Sequence, residues 1–146
     1  MEDEGRKNEA ARLRERLGSV GSHMTRQREA VYSCLRRSGH HPTAEELYLG
    51  VKRELPRISL GTVYKNLEAL VNCGLATKVT AGDGAARYEV RTDHHYHSRC
   101  LTCGAMVDLE PEAELVLPGL VPVAPGFKVA QYRVEVIGYC KECTKC

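Results

Sequence analysis

Two short cysteine pairs constrain this chain more than any other feature of it. Cys100-Leu101-Thr102-Cys103 and Cys140-Lys141-Glu142-Cys143 are C-x-x-C units with 36 residues between them. Each spacing lets one tight turn offer two thiolates to one ion, and two such turns make the closed tetrahedral shell of a structural zinc site. The chain carries seven cysteines in 146 residues and starts with a charged stretch, MEDEGRKNEAARLRERLG. An odd cysteine count and no apolar leader argue against an extracellular disulfide framework and for thiolate ligation in a reducing compartment, so the expected location is the cytoplasm. A redox dithiol is the competing reading of the same units. Cys146 forms a second, overlapping C-x-x-C with Cys143, which leaves the second zinc pair open at this level. Cys34 and Cys73 fall on helical patterns and are expected in the core.

A composition of 42% hydrophobic and 27% charged residues is that of a folded globular protein. No stretch approaches the roughly 18 apolar residues of a membrane-spanning helix, so no membrane partner is expected. The net charge of +2 is unevenly placed, with 14 Lys/Arg against 10 Asp/Glu in residues 1–80 and 7 against 9 in residues 81–146. A basic first half and an acidic second half suggest a nucleic-acid-facing part and a part with another task.

Periodicity organises the first half. Ala10, Leu13 and Leu17 recur at helical spacing over residues 5–17, before Gly18. Thr25 is a candidate N-cap for a second helix with Ala30, Val31, Cys34 and Leu35 on one face. Thr43 three residues before Glu46 is a capping-box signature, and the stripe Leu47, Val51, Leu55 predicts a third helix to about Leu55, where Pro56 stops it. Ser59 caps a fourth with Val63, Leu67 and Leu70 inward and Gly74 at its end. After Gly74, Leu75–Thr80 and Arg87–Arg91 flank Gly82-Asp83-Gly84, the pattern of a hairpin. Three short-linked helices followed by a hairpin read as a winged helix-turn-helix.

The composition shifts at Thr92-Asp93 to histidines and cysteines, which places a hinge near residues 91–94 and two domains at 1–91 and 92–146. The second holds apolar runs at Cys100–Leu109 and Phe127–Gly138, a helix-compatible EPEAELVL and a loop-forming PGLVPVAPG. The fold class is therefore α+β. The C-terminal sheet domain has little core of its own, which makes a metal staple and dimerisation physically sensible.

His95 and His97 sit two residues apart in an extended segment, so both imidazoles share one face and Tyr96 the other. Glu89 and Asp108 supply nearby hard oxygen donors, and His41 is available from the first domain. A mixed imidazole and carboxylate shell suits Fe(II), Mn(II) or zinc. Surface histidines are the other reading of this spacing.

From about residue 20 to 143 the chain resembles the ferric uptake regulator family, and most closely its peroxide-sensing repressors. The resemblance is carried by TRQREAV, HPTAEELY, ISLGTVYKNLEAL, GLATKV, the GDG and RYEV of the wing, HHYHSRCLTCG, MVDL, GFKV and GYCKEC. It implies that Cys100, Cys103, Cys140 and Cys143 hold structural zinc. It implies further that His41, Glu89, His95, His97 and Asp108 hold a regulatory Fe(II) or Mn(II). Tyr64 takes the position that meets thymine methyls in this family, with Lys65, Asn66 and Thr62 on the exposed edge of the same helix. Arg57, Lys65 and Arg28 are read as phosphate or minor-groove anchors. The implied partners are a second copy of the chain and a palindromic, A/T-rich operator duplex.

Asp108 resembles the peroxide sensors, where iron-uptake regulators usually carry Glu, and by that likeness His41 and His95 are the residues expected to be oxidised. Two departures stand out. Glu89 occupies a position that is usually Asp in the peroxide sensors, and Tyr96 and Tyr132 occupy positions that in many members ligate an additional metal, so that site is expected to be absent or incomplete. The alternatives are an iron, manganese or zinc availability sensor without histidine oxidation, and a thiol switch using Cys140, Cys143 and Cys146. No H-E-x-x-H, G-x-S-x-G or phosphate loop is present, and no enzyme activity is expected. GSHM at residues 21–24 resembles an expression-tag scar but lies within the matching region.

Overall fold

The computed structural model describes residues 2–80, 82–91, 95–109, 121–130 and 132–144, with side chains from residue 11 onward. The chain divides into two compact units, Met1–Asp93 and His94–Cys146. Residues 92–94 of the hinge expected at 91–94, the EPEAELVL segment and Cys146 lie outside the described residues.

In the first unit, small hydroxyl side chains start the helices. Helix α1 spans Glu2–Ser19 and buries Leu13 and Leu17. Helix α2 (Arg26–Arg37) begins where Thr25 accepts a hydrogen bond from the Arg28 backbone N–H. Helix α3 (Ala44–Val51) has a complete capping box: the Glu46 N–H donates to the Thr43 hydroxyl at 3.3 Å, and the Thr43 N–H donates to the Glu46 carboxylate at 2.9 Å. Ser59 accepts from the Thr62 N–H at 3.1 Å and starts helix α4, Leu60–Asn72. Each cap satisfies amide donors that a helix start leaves without an internal partner, worth about 1 kcal/mol.

Helix α3 ends four residues before the Leu55 expected from its apolar stripe. The Arg53 and Glu54 N–H groups bond the Gly50 and Val51 carbonyls three residues back, so the chain tightens into turns. Pro56 has no N–H to continue a helix and disfavours helical geometry at Leu55. Leu55 still packs half-buried on the core.

That core gathers Val31 and Leu35 of α2, Leu47 and Val51 of α3, Val63, Leu67 and Leu70 of α4, and Tyr88. Most are fully buried, and each such side chain contributes roughly 1.5–3 kcal/mol of transfer free energy. Gly74, at φ 72°, turns the chain out of α4. Strands β1 (Thr77–Thr80) and β2 (Ala86–Glu89) then form an antiparallel hairpin with Thr77 opposite Glu89 and Thr80 opposite Ala86. Helices α2 to α4 plus this hairpin make the winged helix.

In the second unit, β3 (Tyr96–Cys100) lies between β4 (Met106–Leu109), antiparallel to it, and β5 (Glu135–Gly138), parallel to it. The register sets His97 beside both Asp108 and Glu135, and Arg99 beside both Met106 and Ile137. Because side chains alternate, these six residues share one face of the sheet, while Tyr96, Ser98, Val107 and Val136 share the other. No described helix is long and apolar enough to cross a membrane.

Candidate metal centres

Parallel pairing of β3 with β5 brings the two cysteine units to the same end of one sheet. The turn after β3 closes with the Gly104 N–H donating to the Cys100 carbonyl at 3.0 Å, and the turn after β5 with the Cys143 N–H donating to the Cys140 carbonyl at 2.9 Å. Gly104 takes φ 73°, which a side chain would disfavour. The Sγ atoms of Cys100, Cys103, Cys140 and Cys143 all lie within 4.8 Å of one another, and those of Cys103 and Cys140 are 3.8 Å apart. Zinc–sulfur bonds of about 2.3 Å in a tetrahedron require sulfur–sulfur edges of about 3.8 Å, so the four donors fit that ion.

The protonation of these thiols is uneven. Backbone N–H groups of Cys103 and Cys140 draw the Cys100 thiol down to about 6, whereas its hydrogen bond with Cys140 and then burial push the Cys143 thiol up to about 12. Four sulfurs packed this closely do not ionise together without a cation between them.

A second set of donors falls into two groups, one in each unit. In the first unit, β2 pairs along the loop before α3: Thr43 bridges to Arg87, the Tyr88 N–H donates to the Pro42 carbonyl at 2.9 Å, and Arg87 Nη1 donates to the His41 carbonyl at 3.2 Å. This holds His41 against Glu89 from 48 residues away, with Nε2 2.8 Å from Oε2 and both side chains buried.

In the second unit, Asp108 Oδ1 lies 3.3 Å from His95 Nε2 and 3.5 Å from His97 Nε2. The two rings meet edge to face with centroids 4.5 Å apart. His95 precedes β3 and His97 lies within it, so alternation aims both at the face that Asp108 shares from β4. Imidazole and carboxylate donors of this kind suit Fe(II), Mn(II) or zinc.

The candidate DNA-facing residues separate less uniformly. Tyr64 and Lys65 on α4 are exposed, as is Arg57 before it, and Thr62 and Arg28 are half-buried. The Tyr64 hydroxyl donates to Glu45 of α3 at 2.7 Å, which holds the Glu45 carboxyl below its usual range and raises the Tyr64 phenol. Asn66 corrects the expectation of an exposed edge. It is 4% exposed and its amide donates to the Thr62 carbonyl at 2.9 Å. Four residues from Thr62 and next to core residue Leu67, it faces inward along with Val63 and Leu70.

Residues 19–137 match the model of the ferric uptake regulator family. The chain belongs to that family. It is accordingly a metal-responsive transcriptional regulator and not an enzyme, from a family of dimeric DNA-binding proteins. The peroxide operon regulator of Bacillus subtilis is 37% identical to it over 131 residues, 90% of each protein. The peroxide-responsive repressor PerR of Staphylococcus aureus is 35% identical over 127 residues, 87% of this chain and 86% of that protein. Among solved structures, the ferric uptake regulator of Helicobacter pylori superposes with a TM-score of 0.76 at 26% identity, covering 96% of this chain and 94% of that one.

That structure is described as revealing three functional metal-binding sites in its own chain. In this regulator the described residues bring together the four cysteines and, separately in each unit, His41 with Glu89 and His95 and His97 with Asp108. Tyr96, in the place where many members carry a ligand of an additional metal, is buried at the start of β3, and Tyr132 is half-buried.

The sequence reading gave no role to one further pair on the metal-bearing face. Arg99 Nε donates to Glu135 Oε1 at 2.8 Å, with both side chains largely buried. The available signal was Arg99 two residues from His97 in a strand, where a charge has to find a partner.

Proposed function

We propose that this regulator is a cytoplasmic, metal-dependent repressor that binds operator DNA as a homodimer and responds to peroxide through Fe(II)-dependent oxidation of histidine. The observation that carries the reading is Asp108 within 3.5 Å of both His95 and His97 on one sheet face. It is supported by relatives whose names are those of peroxide regulators.

In this reading residues 1–91 bind DNA and residues 92–146 sense metal and dimerise. Cys100, Cys103, Cys140 and Cys143 hold structural Zn(II). His41 and Glu89 join His95, His97 and Asp108 on one regulatory Fe(II) or Mn(II), so that the ion favours the domain arrangement in which two winged helices meet successive half-sites. Tyr64 reads thymine methyls, Thr62 and Lys65 flank it, and Arg57 and Arg28 anchor the backbone. Exposed Val107 and Val136 on one sheet face offer apolar surface for the second copy. Fe(II), if bound, would supply the electron that activates H2O2, and by the family likeness His41 and His95 would be the side chains oxidised.

Glu89 favours a second reading. Its carboxylate is one methylene longer than the Asp usual in peroxide sensors, and filling the open metal position would turn the protein into a metal-availability sensor.

DNA recognition is tested by anaerobic selection of a random duplex library with the zinc-containing protein and Mn(II). The expected product is an A/T-rich palindrome whose affinity falls by at least about tenfold without Mn(II) and falls steadily with added salt as counterions are released. Enrichment independent of Mn(II), or of no palindrome, overturns the reading.

A further inference from the structure

The metal-bearing face of the second unit carries a charge pair between its strands. β3 contributes His97 and Arg99, β4 contributes Asp108, and β5 contributes Glu135, which lies directly beside His97 in the parallel register. Neighbouring strands are about 4.8 Å apart, so a four-atom carboxylate arm at 135 has the reach to enter the ligand shell of an ion held by His97. The guanidinium of Arg99 instead holds it, through Nε and Oε1 at 2.8 Å, with side-chain exposures of 9% and 20%.

We propose that Arg99 is a positioning residue that sets the affinity of the His95–His97–Asp108 cluster for divalent metal, by retaining Glu135 as its own counterion and keeping that carboxylate out of the ligand shell. The inference rests on the reading of this cluster as the regulatory metal site. Two effects act in the same direction. The cation on Arg99 opposes a second cation on the same face, and the ion pair occupies a donor that would otherwise bind the metal. Glu135 cancels most of the first effect while the pair is intact. A sensor has to release its ion within the range of cellular metal levels, and a further anionic donor added to the proposed ligand set works against release.

The pair also separates this role from a purely structural one. Removing Arg99 takes a cationic partner from a largely buried carboxylate, which is costly to the fold unless another cation replaces it. A bound divalent ion is such a cation, so the variant's stability becomes tied to metal.

Mn(II) titration of the full-length, zinc-containing protein, followed by the electron paramagnetic resonance of free Mn(II), tests the proposal. Arg99→Met is expected to tighten Mn(II) binding by about tenfold, the order of magnitude for a solvent-screened change of one charge near a bound cation. Glu135→Gln, which leaves the Arg99 charge uncompensated, is expected to weaken it by a similar factor. The double variant is expected to fall within about threefold of the parent, and thermal melting of Arg99→Met is expected to rise with Mn(II) more than that of the parent.

Unchanged or weaker Mn(II) binding in a folded Arg99→Met, or tightening that survives in the double variant, overturns the proposal. If Arg99→Met does not fold, Glu135→Gln decides, and unchanged Mn(II) affinity in it overturns the proposal. Failure of the parent protein to bind any Mn(II) beyond its zinc removes the underlying reading as well, and is seen before any substitution is made.

Discussion

Cys103→Ser or Cys140→Ser, or prolonged chelation of the parent protein, is expected to unfold the C-terminal unit and dissociate the dimer while the winged helix stays folded. The asymmetry follows from where the core lies. The buried cluster of Val31, Leu47, Val63, Leu67, Leu70 and Tyr88 belongs wholly to the first unit. The described buried apolar side chains of the second are Tyr96, Cys100 and Met106, none of them fully enclosed. A structural zinc site contributes on the order of 10–16 kcal/mol of apparent binding free energy at neutral pH, more than such a core supplies.

Circular dichroism and sedimentation, each with and without chelator, check the expectation. The sign of its pH dependence is fixed by the ligands. Zinc takes thiolates, so protons compete with it: the site is retained at neutral pH and emptied as acid reprotonates the four sulfurs. With no ion to share its charge, its hydrogen bond with Cys140 and burial push the Cys143 thiol up to about 12, so zinc binding at this position competes directly with a proton. A sheet and dimer that survive complete zinc removal would show that packing alone holds this unit.

Asp108→Ala is expected to lower Mn(II) affinity by at least about a hundredfold and to abolish metal-dependent DNA binding, without loss of zinc or of the fold. One oxygen of Asp108 stands within 3.5 Å of both His95 and His97, so its removal takes away the anionic donor that β4 supplies to both imidazoles. Changes merely behind a ligand typically cost 10–100-fold in metal affinity, and loss of a ligand costs more. Asp108→Glu keeps the charge and is expected to retain metal-dependent DNA binding. Equal Mn(II) affinity in Asp108→Ala and the parent would remove Asp108 from the ligand set.

Local signals were the legible ones. Thr25, Thr43 and Ser59 marked helix starts because a cap is a bond across three residues, and the structure builds all three. The C-x-x-C turns were legible for the same reason. The period of two that put His95 and His97 on one face also needed no knowledge of partners.

What escaped depends on contacts distant in sequence. The pairing of β3 with β5 sets Arg99 against Glu135 across 36 residues, and no local pattern announces which strands will meet. Asn66 was misplaced because a polar side chain on a helix suggests an outward face, whereas here a bond back to the Thr62 carbonyl satisfies its amide inside. The end of α3 was misplaced because Leu55 keeps the apolar period, and even an N–H bond four residues back to the Val51 carbonyl, beyond the three-residue turn bonds of Arg53 and Glu54 that interrupt the helix.

The most direct test of the account is to load the zinc-containing protein anaerobically with Fe(II), or with Mn(II) as control, add low H2O2, and follow release of the selected duplex together with peptide masses. The account predicts one added oxygen on peptides carrying His41 or His95, and release from DNA, in the iron form alone. Unmodified histidines with DNA binding that still follows metal would contradict it and make the protein a metal-availability sensor, with Glu89→Asp the first substitution to try for restoring the reaction.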